Sequence, residues 1–180
     1  MNKQETFEVW VDSGQVAFIP QYSGAKEGSG FAKPGNGIGL VKGLNNEYNS
    51  FVREVDSGSR GIRVSHFILQ RDDLPKPVDV DFVGKVKIDN EEQALVISDP
   101  CYIHEGDRGG SGLYNDACNA TYSTNTVKQA GIYSIDDKQV AACSSTGFGD
   151  GAYDCTITRD NDGKLESICV EFITEEDFDE

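Results

Sequence analysis

The chain has 180 residues, of which 31 are acidic and 16 basic, so its formal net charge at pH 7 is −15. This charge argues against a nucleic-acid-binding surface, which needs Lys and Arg to displace counterions, and against attraction to an anionic membrane leaflet. Apolar residues make up 37% of the chain, enough for an ordinary core, and 20 Gly with a single Met favour strands and turns over long helices.

The cysteines indicate a reduced compartment. There are five, an odd number, and no two have the spacing of a zinc half-site. They are Cys101, Cys118, Cys143, Cys155 and Cys169. The first residues resemble no secretory leader, and no apolar run has transmembrane length. We therefore expect a cytoplasmic protein with free thiols, no membrane contact, and no metal or cofactor.

The first elements along the chain are predicted as a hairpin, a loop and a helix. Residues 7–12 alternate, with Phe7, Val9 and Val11 on one side, and a second short run follows at 15–19. Asp12-Ser13-Gly14 between the two runs favours a hairpin. Residues 22–43 are rich in Gly and Ser and predict a long loop. Within 45–55, Tyr48, Phe51, Val52 and Val55 have the spacing of an amphipathic helix, the one short helix that we expect.

The remainder of the chain predicts strands. Alternating or continuous apolar runs occupy 61–69, 78–88 (with a bulge or bend at Gly84), 94–97, 131–135, 139–144, 152–158 and 165–173. Asp160-Asn161-Asp162-Gly163 joins the last two as a hairpin turn. His66 shares an apolar face with Val64 and Ile68, which indicates a core histidine. We predict a mainly β domain over 1–173, an antiparallel sandwich or open barrel, followed by an acidic tail over 174–180.

One candidate site follows the predicted strand 94–97. Asp99, Cys101 and His104 lie within six residues of chain, and a thiol beside an imidazole and a carboxylate has the groups for nucleophilic catalysis. Asp99, His104 and Asp107 together have the chemistry of a metal site. The alternative is a turn opened by Asp99-Pro100, with Cys101 directed into the core. This alternative is favoured, since sequence neighbours converge mainly on helices and no helix is predicted here.

A second candidate site is the Gly-rich segment 147–155. Its glycines permit close approach of a ligand to the backbone, and Asp150 and Asp154 are able to hold a cation together with Asp99. No dinucleotide or P-loop pattern is present. The alternative is a tight turn leading into a strand. The predicted ligand-binding residues of the two segments are Tyr102, Gly149, Asp150, Gly151, Tyr153 and Asp154.

Three segments together resemble a known family. Asp99-Pro100-Cys101-Tyr102, Gly149-Asp150-Gly151-Ala152-Tyr153 and the closing strand Val170-Glu171-Phe172 are similar, in that order, to elements of an uncharacterised β-rich domain family of bacteria and their phages. The likeness covers about residues 80–173. The family has no assigned reaction or ligand, but the resemblance implies a phage-encoded protein that acts on host machinery.

Three functions follow from these patterns. The first, which we favour, is a non-enzymatic binding protein, such as a phage inhibitor or counter-defence factor that holds a host protein or a small ligand. The second is a hydrolase in which Asp99, Cys101 and His104 act with Asp150 and Asp154. The third is a virion or structural component, which predicts a homo-oligomer. The sequence leaves the oligomeric state open.

Overall fold

The computed structural model describes residues 3–20, 38–41, 47–88, 95–102, 112–122, 129–134 and 140–178. Within these residues the protein is mainly β. The strands are β1 Lys3–Val11, β2 Gln15–Pro20, β3 Ile38–Val41, β4 Glu47–Asp56, β5 Ile62–Arg71, β6 Asp81–Lys87, β7 Leu95–Ser98, β8 Ala130–Ser134, β9 Val140–Ser145, β10 Gly151–Arg159 and β11 Leu165–Glu171. The α-helix of the described residues is α1, Gly112–Tyr122.

The strands form two antiparallel sheets. The larger has six strands in the order β1-β10-β11-β5-β4-β6, and the smaller has five in the order β3-β7-β2-β9-β8. Alternation sets which side chains face inward: in β1, Val9 and Val11 are buried whereas Glu8 and Trp10 are exposed. The predicted mainly β, antiparallel sandwich is confirmed.

Among the described residues, apolar side chains pack against both faces of the smaller sheet. Between the sheets, the rings of Phe18 and Phe67 stack with centroids 4.1 Å apart, and burial of such a side chain contributes about 1.5–3 kcal/mol. On the other side of the smaller sheet, Ala17 and Cys143 pack with Ala117 of α1. The smaller sheet is therefore covered on both faces, which explains why every described residue of β2 is buried.

The helix predicted over 45–55 is wrong, because residues 47–55 belong to strand β4; residues 45 and 46 lie outside the described residues. β4 lies between β5 and β6, and both of its faces carry apolar side chains. Tyr48 and Val52 belong to the core between the sheets, whereas Phe51 packs with Ile68 on the opposite face. A strand that is apolar on both faces, with a register shift after Arg53, produces the spacing that we attributed to a helix.

The α-helix of the described residues, α1, lies in a part of the chain where the sequence predicts no helix or strand. α1 packs through small residues: Ala117 is fully buried, and the backbone of Ala120 approaches Gly131 of β8 so closely that a Cβ on Gly131 would lie 2.5 Å from the Ala120 carbonyl oxygen. A helix that packs through small residues has no stripe of large apolar residues in its sequence, so hydrophobic periodicity does not predict it.

The strands predicted at 7–12 and 15–19 exist, but they do not form a hairpin. β1 pairs with β10 in the larger sheet, whereas β2 pairs with β7 and β9 in the smaller one. The Asp12-Ser13-Gly14 turn is thus the point where the chain crosses between the sheets. Part of the predicted loop 22–43 is also a strand, β3, and residues 21–37 and 42–46 lie outside the described residues.

Other predicted elements agree with the structure. The strands expected at 61–69, 78–88, 94–97, 131–135, 139–144, 152–158 and 165–173 correspond to β5–β11, with shifted ends. The register irregularity near Gly84 and the turn at Asp160–Gly163 are present. In the acidic segment 174–180, Glu175–Phe178 form a short 3₁₀ helix. No helix of the described residues is long and apolar enough to span a membrane.

The contact between α1 and β8 gives a stability test. We expect Gly131→Ala to lower the free energy of unfolding by about 1–3 kcal/mol, because the added methyl meets backbone that cannot rotate away. Gly84→Ala is the matched control, since its methyl meets the Ile132 side chain, which is 44% exposed and free to change rotamer. Urea unfolding measures both. Equal losses in the two variants would contradict the close helix–sheet contact.

Candidate functional site

The Asp99 carboxylate is fully buried and accepts hydrogen bonds from four donors. Oδ2 accepts from the backbone N–H groups of Asp12 (2.8 Å) and Ser13 (2.7 Å). Oδ1 accepts from the Ser13 hydroxyl (2.5 Å) and the Cys101 N–H (2.8 Å). A carboxylate offers about four lone-pair positions, so these donors fill it. Asp99 therefore ties the start of the Pro100–Tyr102 3₁₀ helix to the turn between β1 and β2.

The two sequence motifs meet at this turn. On one side Asp99 binds Asp12 and Ser13, as described. On the other side the carbonyl oxygen of Gly14 accepts hydrogen bonds from the Thr146 N–H (3.1 Å) and the Tyr122 hydroxyl (3.3 Å). Gly151, which opens β10, pairs with Val11 immediately before the turn. The motif at 98–102 and the Gly-rich segment thus lie at one end of the sandwich, connected through the β1–β2 turn.

The Cys101 thiol is held in its protonated form. Cys101 is exposed and is not directed into the core as predicted, but partial desolvation of its sulfur and, next, the neighbouring Asp99 carboxylate raise its pKa to about 12. A nucleophilic cysteine needs the opposite environment, one that lowers its pKa toward neutrality. His104, the predicted base, lies outside the described residues, as does Asp107. The backbone of Tyr102 belongs to the 3₁₀ helix, and its side chain is outside the description.

The Gly-rich segment is a turn stabilised by its own side chains. Gly149 has φ +114°, a conformation that L-residues rarely adopt. Its carbonyl oxygen accepts hydrogen bonds from the Thr146 hydroxyl (2.6 Å) and the Tyr153 hydroxyl (2.5 Å). The Tyr153 ring packs edge-on against Phe172, with centroids 5.1 Å apart, and burial raises the pKa of its hydroxyl. Tyr153 therefore supports the turn instead of facing a ligand.

The two acids of this segment are exposed. Asp150 lies in the turn, and Asp154 lies on β10 with its side chain directed away from the core. Asp99 is buried and saturated, so the three carboxylates do not form the cation site considered from the sequence. Among the described residues, no group of His, Cys, Asp and Glu side chains is arranged to hold a metal ion.

Asp154 belongs instead to a row of charged side chains across the outer face of the larger sheet, the face that points away from the smaller sheet. In the register of the strands, Glu8 of β1 is opposite Asp154, and Asp154 is opposite Glu171 of β11. We call these three residues the acidic row. Directly opposite side chains have Cβ atoms about 4.5–5.5 Å apart, and like charges there are destabilising. No cation of the described residues lies within ion-pair distance of Glu8 or Asp154.

His66 of β5 lies opposite Glu171 and does not neutralise the acidic row. Its Nε2 lies 3.0 Å from the Glu171 carboxylate and its Nδ1 lies 2.9 Å from the Ser65 hydroxyl. Burial lowers the pKa of His66, with a further contribution from Arg53, although the hydrogen bond to Glu171 opposes the shift. At neutral pH the imidazole is therefore uncharged and does not neutralise Glu171. The expected core histidine is half-buried and hydrogen-bonded on both nitrogens.

An apolar row runs beside the acidic one. Cys169, Ile68, Phe51 and Phe82 are opposite one another on β11, β5, β4 and β6. The rings of Phe51 and Phe82 meet edge-on, with centroids 6.0 Å apart, and Phe82 is 44% exposed. At the other side of the sheet Trp10 of β1 is 54% exposed, opposite Ala152. Exposed aromatic side chains of this kind are enriched at protein interfaces.

Asp154 was predicted from the sequence as a site residue, but the residues that surround it were not. Glu8, Trp10, Glu171, Phe51 and Phe82 are far apart along the chain, and only strand register brings them to one face. A signal was available for β1: the outward positions of an alternating strand are normally polar, so Trp10 among them indicates a surface aromatic residue.

Comparisons with known proteins gave no match: no family model fits the sequence, and no curated protein and no solved structure is significantly similar. The resemblance to the β-rich family of bacteria and phages therefore stays a prediction. The function is therefore inferred from the geometry of this chain.

The Asp99 contacts predict a structural role. Asp99→Asn replaces one acceptor oxygen by an NH₂ donor that would face N–H groups, and we expect it to lower the free energy of unfolding by about 2–4 kcal/mol. Asp150→Asn is the control, because this exposed carboxylate should change stability by less than about 0.5 kcal/mol. Urea unfolding compares them. Unchanged stability in Asp99→Asn would contradict the role assigned to this carboxylate.

The raised pKa of Cys101 predicts that its thiol is alkylated slowly at neutral pH. The thiolate forms only as the pH approaches about 12, so alkylation at pH 7 should be more than about tenfold slower in the folded protein than in urea, and should accelerate as pH rises. Iodoacetamide labelling with peptide mapping by mass spectrometry measures the rate at Cys101 alone. The same cysteine in the unfolded chain is the reference. Equal rates in the two states at pH 7 would show that the thiol is not suppressed.

Proposed function

We propose that the protein is a non-enzymatic binding protein that acts in the cytoplasm of a bacterial host, on a host protein or a small ligand. The observation that carries this proposal is the outer face of the larger sheet, where Trp10 of β1 is about half exposed next to the acidic row and Phe82 of β6 is about half exposed at the opposite edge of the sheet. A face that combines exposed aromatic side chains with unpaired charges is suited to a partner, because the aromatic rings contribute affinity and the charges contribute specificity.

The environment of the catalytic candidates also supports binding over hydrolysis. Asp99 is unsuited to act as a general base, because both of its oxygens already accept two hydrogen bonds each, and His104, the base predicted from the sequence, lies outside the described residues. The nucleophile would need a thiolate, which the environment of Cys101 disfavours at neutral pH. These residues contribute to the scaffold, and the exposed face contributes to recognition.

The family resemblance extends the proposal to a phage-encoded inhibitor or counter-defence factor. Such a protein acts by stoichiometric capture of its target and needs no catalytic residues. A net charge of −15 supports a monomer over a virion or structural homo-oligomer, since identical acidic chains repel one another.

Native mass spectrometry tests the binding function. The protein is purified gently from a bacterial host, and its native mass is compared with its denatured mass; we expect an additional component in a fixed ratio. Phe82→Ala should reduce the bound fraction, whereas Ile132→Ala, also at a residue with 44% exposure but on the smaller sheet, should not. Melting temperatures verify that both variants are folded.

Two results would overturn the proposal. One is hydrolytic turnover that is lost in Cys101→Ser while the melting temperature is unchanged, which would indicate an enzyme. The other is a stable homo-oligomer, with no other component, that dissociates in Phe82→Ala, which would indicate a structural protein.

A further inference from the structure

The acidic row ends at the edge of a sheet. Among the described strands, β1 is the outermost strand of the larger sheet, with β10 on one side only. An edge strand presents backbone N–H and C=O groups that are able to pair with another strand. β1 is nine residues long and regular, with continuous register against β10 from Lys3 to Val11. It therefore offers a longer template for strand addition than most edges in natural proteins.

The charges next to this edge select the partner. Glu8 on β1 is followed inward by Asp154 and Glu171. The uncharged His66 comes next, and the first cation along this line, Arg53 of β4, lies opposite His66 and away from Glu8 and Asp154. A strand added beside β1 would place one side chain opposite Glu8, at about 4.5–5.5 Å between Cβ atoms. A Lys or Arg at that position would lie beside the row of carboxylates, whereas an acidic residue would extend the repulsion.

Trp10 adds a second contact on the same face. It lies two residues after Glu8 in β1, so the two side chains point in the same direction. An added strand would therefore place alternate residues opposite Glu8 and Trp10. An aliphatic stem or a cationic head opposite Trp10 would cover the indole ring, which attracts cations through its π face. The positions opposite Glu8 and Trp10 therefore both favour Lys or Arg.

We propose that the β1 edge binds an extended, Lys- or Arg-bearing segment of a partner protein, which continues the larger sheet by one strand. The inference rests on the binding function proposed above and names the partner's chemistry. A second copy of this chain fits less well, because each copy carries a net charge of −15. Backbone pairing supplies affinity and the acidic row supplies selectivity, as in other cases of strand addition.

Trp10 makes the test direct, because it is the single tryptophan of the chain. The probe is a synthetic peptide of about nine residues, the length of a typical strand or longer, that alternates Lys and Val. Its matched control alternates Lys and Pro, which keeps the charge, removes half of the backbone donors and fixes φ at about −65° at every second residue, so it favours polyproline II over a paired strand. We expect the Lys/Val peptide to shift Trp10 emission to the blue and to bind at least about tenfold more tightly than the Lys/Pro peptide.

The acidic row is tested with two double variants of equal net charge. Glu8→Gln with Asp154→Asn removes two acids beside the edge, and we expect at least about fivefold weaker binding of the Lys/Val peptide. Asp72→Asn with Asp162→Asn removes two exposed acids at the opposite end of the sheet and should change binding less than about twofold. Melting temperatures verify that both proteins are folded.

Each contrary result has a definite meaning. Equal binding of the two peptides would show that no strand pairing occurs, and equal weakening in the two double variants would show attraction by net charge alone. Self-association of the protein that the Lys/Val peptide does not disrupt would assign the edge to a second copy. If a host complex found by native mass spectrometry persists in Glu8→Gln with Asp154→Asn, the binding function stands and its assignment to this edge fails.

Discussion

The two sheets depend on one buried carboxylate where the chain passes from one to the other. β1 belongs to the larger sheet and β2 to the smaller, and only the Asp12-Ser13-Gly14 turn separates them. Asp99, at the end of β7, accepts hydrogen bonds from the first two residues of this turn. An uncompensated buried charge would cost several kcal/mol, so the four hydrogen bonds are a condition for burying this residue at all. The turn is thereby fixed against the smaller sheet.

Fixing this turn also fixes the edge of the larger sheet. Because β1 runs directly into Asp12, the anchor sets where β1 ends and which of its side chains point outward. Glu8 and Trp10 point outward, and register with β10 places them opposite Asp154 and Ala152. Asp99, a catalytic candidate in the sequence, thus influences the exposed face only indirectly, because it fixes the position of β1. This separation explains why the chemical motif and the exposed face are different parts of the protein.

The fold class follows from the sequence because alternation is a local signal, but the helix assignment fails for physical reasons. β4 has apolar side chains on both faces, Tyr48 toward the core and Phe51 toward the outer face, so its pattern does not alternate. α1 buries alanines instead of large residues, so its pattern is weak. The β1–β2 turn has hairpin chemistry, yet its strands separate because the contacts of Asp99 lie far away in sequence. In each case tertiary context overrides the local preference.

The candidate site was predictable only in part, because the sequence indicates single residues but not which of them strand pairing places side by side. Asp150 and Asp154 were identified and are exposed, whereas Tyr153 and Asp99 prove to hold the backbone. The acidic row depends on two pairings between strands, β1 with β10 and β10 with β11, and no local pattern encodes them. Opposite like charges lower the stability of a sheet by up to about 1 kcal/mol for each pair. An uncharged residue at Glu8 or Asp154 would pair at least as well, so strand pairing does not account for the row, whereas the cationic partner proposed above would.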